Sequence, residues 1–220
     1  MKHGKTTRRR AGRQGGKQGE RNRQAILDAA REHFSRHGFR ATTLRDIAAS
    51  ADVTPAMVHY HFGNKAGLYF AVIESVAEPL LARLGQIRDG AQPGDALAAF
   101  MDFYMRTVSR HPEIPSLLLH DVLGEDGDMR SGFATRFASR GRQAISGLLR
   151  NAQEQGRIPR ELDIDLGVIS ILSLALFPFL AAPLIREVFG REWQADELEA
   201  LIRHQQAVLL HGLTCKEDTQ

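Results

Sequence analysis

The segment from Thr42 to Tyr69, TTLRDIAASADVTPAMVHYHFGNKAGLY, contains three helix starts separated by residues that stop a helix. It therefore folds as short helices joined by tight turns. Thr43-Leu44-Arg45-Asp46 has the form of a capping box. The Thr43 hydroxyl accepts from the Asp46 amide, the Asp46 carboxylate reaches back to the Thr43 amide, and a helix begins at Leu44. Leu44, Ile47 and Ala48 fall at i, i+3 and i+4 and mark its buried face. Ala51-Asp52-Val53 breaks the pattern. Asp tolerates the left-handed backbone better than most residues other than Gly, so Asp52 suits a turn. Thr54-Pro55 opens the next helix, with Thr54 as N-cap and Pro55 at the first helical position. Within it Val58 and Phe62, four apart, face inward. Gly63-Asn64 ends this helix and caps a third, which begins at Lys65. The outline is a helix-turn-helix.

The second helix of such a motif fits the major groove of DNA. Its outward residues here are Ala56, Met57, His59, Tyr60 and His61. Ala56 and Met57 can lie on thymine methyls, and the His and Tyr side chains can reach base edges or phosphates. Helix N-termini at Thr43 and Lys65 present unpaired amides to anions. Lys65 adds a full positive charge to the second, and Arg45 lies one turn into the first. A packing motif without a ligand explains two histidines beside an aromatic ring. It does not explain the whole series of capped helix, turn, capped helix and Lys-bearing third helix.

These residues resemble the DNA-binding region of TetR-family transcriptional regulators. That region opens with a helix like Arg21 to His37 and runs T-T-x-x-D-I-A into a turn. A recognition helix ending in an aromatic-His-aromatic cluster follows, then a Gly, a short linker, a Lys and an apolar run. The match covers roughly residues 21 to 70, together with the overall length. It departs at Asp52, where Gly is usual, and at Pro55 and Met57, where polar or basic residues are common. The resemblance implies an all-α homodimer of about nine helices per chain. Its domains are a disordered basic tail over residues 1–20, a DNA-binding domain over 21–66, and an effector-binding and dimerisation domain over 67–220. Carried onto matching positions, Thr43 and Arg45 touch phosphate or a base near the groove edge. Thr54 to Phe62 bind the operator, with Pro55, Ala56, Met57 and Tyr60 in the major groove. His59, His61 and Lys65 hold the DNA backbone. The implied function is a sequence-specific transcriptional regulator in the cytoplasm, a repressor released by a small-molecule effector, with no cofactor. The alternative is a helical ligand-binding or adaptor protein that does not bind DNA.

Charge supports the division. Residues 1–65 hold 14 Lys+Arg against 5 Asp+Glu, and the remainder holds 15 against 21. A basic N-terminal part on an acidic remainder suits a DNA module joined to something else. Most of the asymmetry lies in residues 1–23, with 9 basic and 1 acidic residue, almost no apolar ones and five Gly. Such a tail is expected to be disordered in isolation. It either follows DNA phosphates or is a solvated extension. The single cysteine, Cys215, permits no intrachain disulfide and fits a reducing compartment.

The remainder reads as helices punctuated by Gly and Pro. Lys65 to about Ile87, with Leu68, Val72, Val76 and Leu80, continues from the DNA module as a mechanical connector, closed by Gly85 and the loop DGAQPG. Ala96 to Ser109, Pro115 to Leu123 and Met129 to Gln155 follow. Leu166 to Ile185 is twenty residues without a formal charge, long enough to span a bilayer. It contains two prolines and two serines, and an all-apolar helix also suits a buried dimer interface. By resemblance, the homodimer forms through Asp165–Val188 and Ala195–Leu213. The middle helices surround an effector cavity, with Phe100, Phe103, Tyr104, Leu118, His120, Asp121, Phe137 and Phe177 as candidates. Plain core packing explains any one of these alone. His33 and His37 have zinc-compatible i, i+4 spacing but no third ligand placed to complete a site. No nucleophile elbow, P-loop or dinucleotide glycine pattern is present, so an enzyme is not expected.

Overall fold

Apolar residues recur with helical period along most of the chain, and every regular element among the described residues is a helix. The computed structural model describes residues 6–90, 93–125 and 127–213. The first five residues of the basic tail, and Cys215, lie outside that range. The helices are α1 (Thr6–Ala41), α2 (Leu44–Ser50), α3 (Pro55–Phe62), α4 (Lys65–Gly90) and α5 (Pro93–Arg110), then α6 (Glu113–Leu117), which widens into a π-helical turn at Leu118–Leu123. A second continuous rod runs from α7 (Arg130–Phe133) through a π-helical turn at Ala134–Ala138 into α8 (Ser139–Glu154). α9 (Ile164–Leu180), α10 (Ala182–Phe189) and α11 (Ala195–Leu213) complete the chain.

Three boundaries differ from expectation. α1 begins at Thr6, so the stretch to Glu20 is helical where disorder is expected. Arg, Lys, Gln and Glu are good helix formers, and Gln18 Nε2 donates to the Asn22 side chain one turn on, at 2.9 Å. α4 runs past Gly85 to Gly90. The uncharged stretch is not one helix: it breaks at Ala181 and turns by 67° into α10. Pro183, in the first turn of α10, lacks an N–H and disfavours continuation of α9, although α9 does carry Pro178 within it. That break supplies the helix beyond the nine expected. No single helix among the described residues is long and apolar enough to cross a membrane.

The chain forms two compact units with the boundary between Ile73 and Glu74, inside α4. It falls later than residue 66 because the first turns of α4 belong to the N-terminal core. Leu68, Tyr69, Val72 and Ile73 are buried there, as are Ile26, Ala30, Phe34, Ile47 and Val58. Phe34, Phe39 and Tyr69 form an aromatic cluster with ring centroids 5.2–6.1 Å apart. In the second unit, Leu97, Phe100, Met101 and Met105 of α5 pack with Ile145 and Leu149 of α8, Ile171 and Ala175 of α9, and Ile202 and Leu209 of α11. Forked ion pairs set the register of these helices. Arg106 of α5 holds Glu199 of α11 with both terminal nitrogens, and Asp102 through Nε at 2.8 Å. Arg140 of α8 holds Glu78 of α4 in the same way. Hydrogen bonds from these guanidinium groups keep the Glu78 and Glu199 carboxyls below the usual carboxylate range, so both pairs are intact at neutral pH. Exposed pairs of this kind fix geometry more than they add stability.

Candidate nucleic-acid interface

The helix-turn-helix is built from local hydrogen bonds. The Asp46 amide donates to Thr43 Oγ1 at 3.2 Å, which starts α2 as expected. The return half of the capping box differs. The Asp46 carboxylate accepts from the Thr43 hydroxyl at 2.6 Å rather than from the Thr43 amide. That hydroxyl has spent its one donor on Asp46 and has none for a phosphate oxygen. Asp52 carries the turn with φ 52°, the left-handed geometry expected of it, and the Val53 amide closes the turn on Ala48 O at 3.0 Å. Thr54 takes the extended N-cap conformation, yet its hydroxyl makes no capping bond and is exposed. A phosphate oxygen can therefore take that proton.

α3 buries one side chain fully, Val58, while Phe62 is half-buried. Thr54, Pro55, Ala56, His59 and Tyr60 are exposed, and Met57 and His61 are partly so. Tyr60 is 85% exposed, with its ring edge-on to His61 at 5.2 Å. An aromatic side chain this open contributes nothing to the core of its own unit. His59 Nδ1 lies 2.8 Å from Gly63 O. A carbonyl only accepts, so Nδ1 carries the hydrogen, and Nε2 of the neutral ring is an acceptor. Arg45 is exposed and has no ion-pair partner among the described residues.

Two glycines shape the exit from α3. Gly63 sits at φ 76° and ψ −61°, and the Asn64 amide reaches Phe62 O at 2.9 Å, which makes a γ-turn that side chains disfavour. Asn64 Oδ1 then accepts from the Gly67 amide at 2.8 Å and caps α4, as the sequence implies. At Gly67, a Cβ would lie 2.2 Å from Phe62 O. Sequence reasoning passed over Gly67. The available signal is a glycine in the first turn of a helix, where its propensity is poor. Lys65, expected on the DNA backbone, has other partners. Its ammonium donates to Phe39 O at 2.8 Å, Arg40 O at 3.2 Å and Thr42 O at 3.0 Å.

The residues expected round an effector cavity lie in different settings. Phe100 lies in the core against Tyr104, with ring centroids 5.5 Å apart. Burial pushes the Tyr104 phenol up to about 12, so it remains a neutral donor. Phe103 is half-buried, while Leu118, Asp121 and Phe137 are buried. His120 and Phe177 line two different grooves. The first, about 670 Å³, has a floor that includes Val108, Leu119, Phe179, Leu180 and Trp193, with Arg186, Arg191 and His120 also lining it. The second, about 540 Å³, runs along α9 past Ile169, Leu172, Ser173, Leu176 and Phe177 to Gln205 of α11. Among the described residues no His, Cys, Asp and Glu side chains group as a metal site; His33 instead pairs with Ser50 Oγ at 2.8 Å.

Residues 26–72 match the family described as bacterial regulatory proteins, tetR family, and residues 93–208 match the tetracyclin repressor-like C-terminal domain. The chain is 27% identical to the HTH-type transcriptional repressor NicS of Pseudomonas putida, over 73% of this chain and 76% of that protein. Its fold is similar to the fatty acid degradation regulator FadR from Bacillus halodurans, with TM-score 0.73 and 16% identity over 87% of this chain and 96% of that one. It is also similar to the ketosteroid transcriptional regulator KstR2 of Mycobacterium tuberculosis, with TM-score 0.67 and 21% identity over 87% and 94%. The chain belongs to the TetR family of transcriptional regulators. It is a DNA-binding transcriptional regulator, in a family of regulators rather than enzymes whose members bind small-molecule effectors and act as dimers.

Proposed function

We propose that the chain is a homodimeric repressor, working in the cytoplasm, that grips a palindromic operator with two copies of α3 and lets go when an effector binds. The observation that carries this is the open face of α3. Pro55, Ala56, Met57 and Tyr60 face the base edges, with Thr54, Arg45, His59 and His61 toward the phosphates beside them. The unit ending at Ile73 is the reader, and the unit from Glu74 is the sensor and dimer scaffold. The dimer forms on α9 and α11, where Leu166, Ile169, Phe177 and Val208 are exposed apolar side chains without an intramolecular purpose. The effector is a largely apolar molecule seated in the groove lined by Trp193, Phe179, Leu180 and Pro183, where Arg186 and Arg191 are already paired with Glu192 and Glu197. α4 passes the signal because it belongs to both units. A coupling of about 1–3 kcal/mol suffices for roughly 5–150-fold release.

Tyr60→Ala tests the reading face. The side chain is exposed, so the variant melts like the wild type, while operator affinity falls about 30-fold or more, since the dimer loses two base contacts at roughly 1–3 kcal/mol each. Affinity for random duplex barely changes, because that term is electrostatic. Titrations of both duplexes by fluorescence anisotropy measure this. Equal losses on both, or no loss on either, remove Tyr60 from base recognition. If the wild-type dimer neutralises about eight phosphates, log K falls with log salt at a slope near −7 on the scale of ~0.9 per phosphate.

A further inference from the structure

We propose that Lys65 is a positioning residue of the DNA interface, a clamp between the end of α1 and the start of α4, rather than a phosphate contact; the proposal rests on the reading of α3 as the recognition helix. A lysine at the first position of a helix is badly placed for its own helix, whose amino end already carries partial positive charge. The side chain leaves that end. It crosses to the short segment that follows the break in α1 at Gly38, where φ is 71° and ψ 176°, and meets the carbonyls of Phe39, Arg40 and Thr42 there. Its three N–H bonds go to Phe39 O, Arg40 O and Thr42 O at 2.8, 3.2 and 3.0 Å. An ammonium has three donors, so none is left over. The Phe39 ring lies 4.4 Å from the nitrogen and supplies a cation–π face. Phe39 itself is fixed by Phe34 and Tyr69.

The consequence reaches α3 through two residues. Lys65 begins α4, and only Gly63 and Asn64 separate it from the end of the recognition helix. Anchoring Lys65 to the Phe39–Thr42 segment thus fixes where α3 must stop relative to the connection between α1 and α2. A phosphate could recruit this ammonium only by breaking hydrogen bonds already made to three carbonyls. The charge acts on the protein first, and on DNA through the placement of Thr54 to Tyr60.

The test uses the full-length protein with Lys65→Arg, Lys65→Met and Phe39→Leu, read by melting without DNA and by salt-dependent titration of operator and random duplex. Arg keeps the charge, but its planar fork suits paired acceptors rather than three carbonyls around a point. Lys65→Arg is expected to melt several degrees lower and to lose about tenfold in operator affinity, with random-duplex affinity and the salt slope unchanged. Lys65→Met lowers the melting point further and leaves the slope within error of the wild type. Should Lys65→Met not fold, Phe39→Leu is read by DNA titration alone, because the lost packing of Phe39 on Phe34 and Tyr69 lowers the melting point in either case: weaker operator binding with an unaltered slope. A phosphate contact predicts the opposite pattern. The slope would drop by about 1.8 per dimer for two lost contacts, Arg would restore operator binding, and melting without DNA would not move. That pattern overturns the proposal. A wild-type protein with no operator preference would sink the recognition reading instead, and the melting arm would still judge the clamp.

Discussion

Replacing Ile169 and Phe177 together with Glu is expected to convert the protein to monomers and to weaken operator binding on the order of 10²–10⁴-fold. Both side chains are exposed in the protomer, at 59% and 61%, so two carboxylates there cost its own fold little. They lie on one face of α9 with Leu166, Ser170 and Ser173, all exposed. The serines are small enough for a second helix to approach closely, and the groove beside Phe177 offers a seat for an apolar side chain of the partner. Two pairs of like charges brought together in an isologous contact are strongly unfavourable when desolvated. The loss in DNA binding follows from the geometry of avidity. A dimer that has engaged one half-site meets the second at high effective concentration, and a monomer forfeits that gain without losing a single contact of its own. Sedimentation velocity measures the first effect and operator titration the second. A variant that still sediments as a dimer removes α9 from the interface. A true monomer with wild-type operator affinity removes the dimer from recognition.

Gly67→Ala is expected to be the most damaging single methyl in the N-terminal unit. Its Cβ would sit 2.2 Å from the Phe62 carbonyl oxygen, and the clash is with backbone rather than with the end of a mobile side chain. Relief requires α4 to back away from the end of α3 by about 1 Å, which strains the Asn64 cap and the γ-turn at Gly63. The cost is about 3 kcal/mol, at the upper end of overpacking losses. The better helix propensity of Ala returns less than about 1 kcal/mol of this. A shift of α3 also misaligns several base contacts at once, so operator affinity falls by roughly 10²-fold or more. Circular dichroism melts and anisotropy titrations check both effects. An alanine variant that melts like the wild type contradicts the packing read at this position.

The helix-turn-helix was legible because its signals are local. Thr43, Asp52, Thr54-Pro55 and Gly63-Asn64 each specify a start, a turn or a stop within four residues, and each does so in the structure. What escaped the sequence depends on distant partners. The acceptors of Lys65 lie 23 to 26 positions earlier, beyond the reach of any local pattern. Gly67 escaped because its neighbour is a carbonyl, and sequence patterns describe side chains. The break in the uncharged stretch is not marked by proline alone, because α9 carries Pro178 within it and ends only before Pro183. The sensor unit was the least legible. Periodicity separates the buried from the exposed face of each helix, but not whether Phe100 meets another helix or a cavity. That depends on how α5, α8, α9 and α11 pack.

The central claim is that paired copies of α3 read a symmetric sequence. Its most direct test is to present fragments of the source genome to the full-length protein at physiological ionic strength, sequence what is retained, and footprint the tightest binder. Retained fragments should share an inverted repeat with half-site centres one helical turn, about 34–36 Å, or a greater whole-turn distance apart, and the dimer should protect both halves. Retention that follows only fragment length, or protection of one asymmetric half-site by a lone protomer, would contradict it.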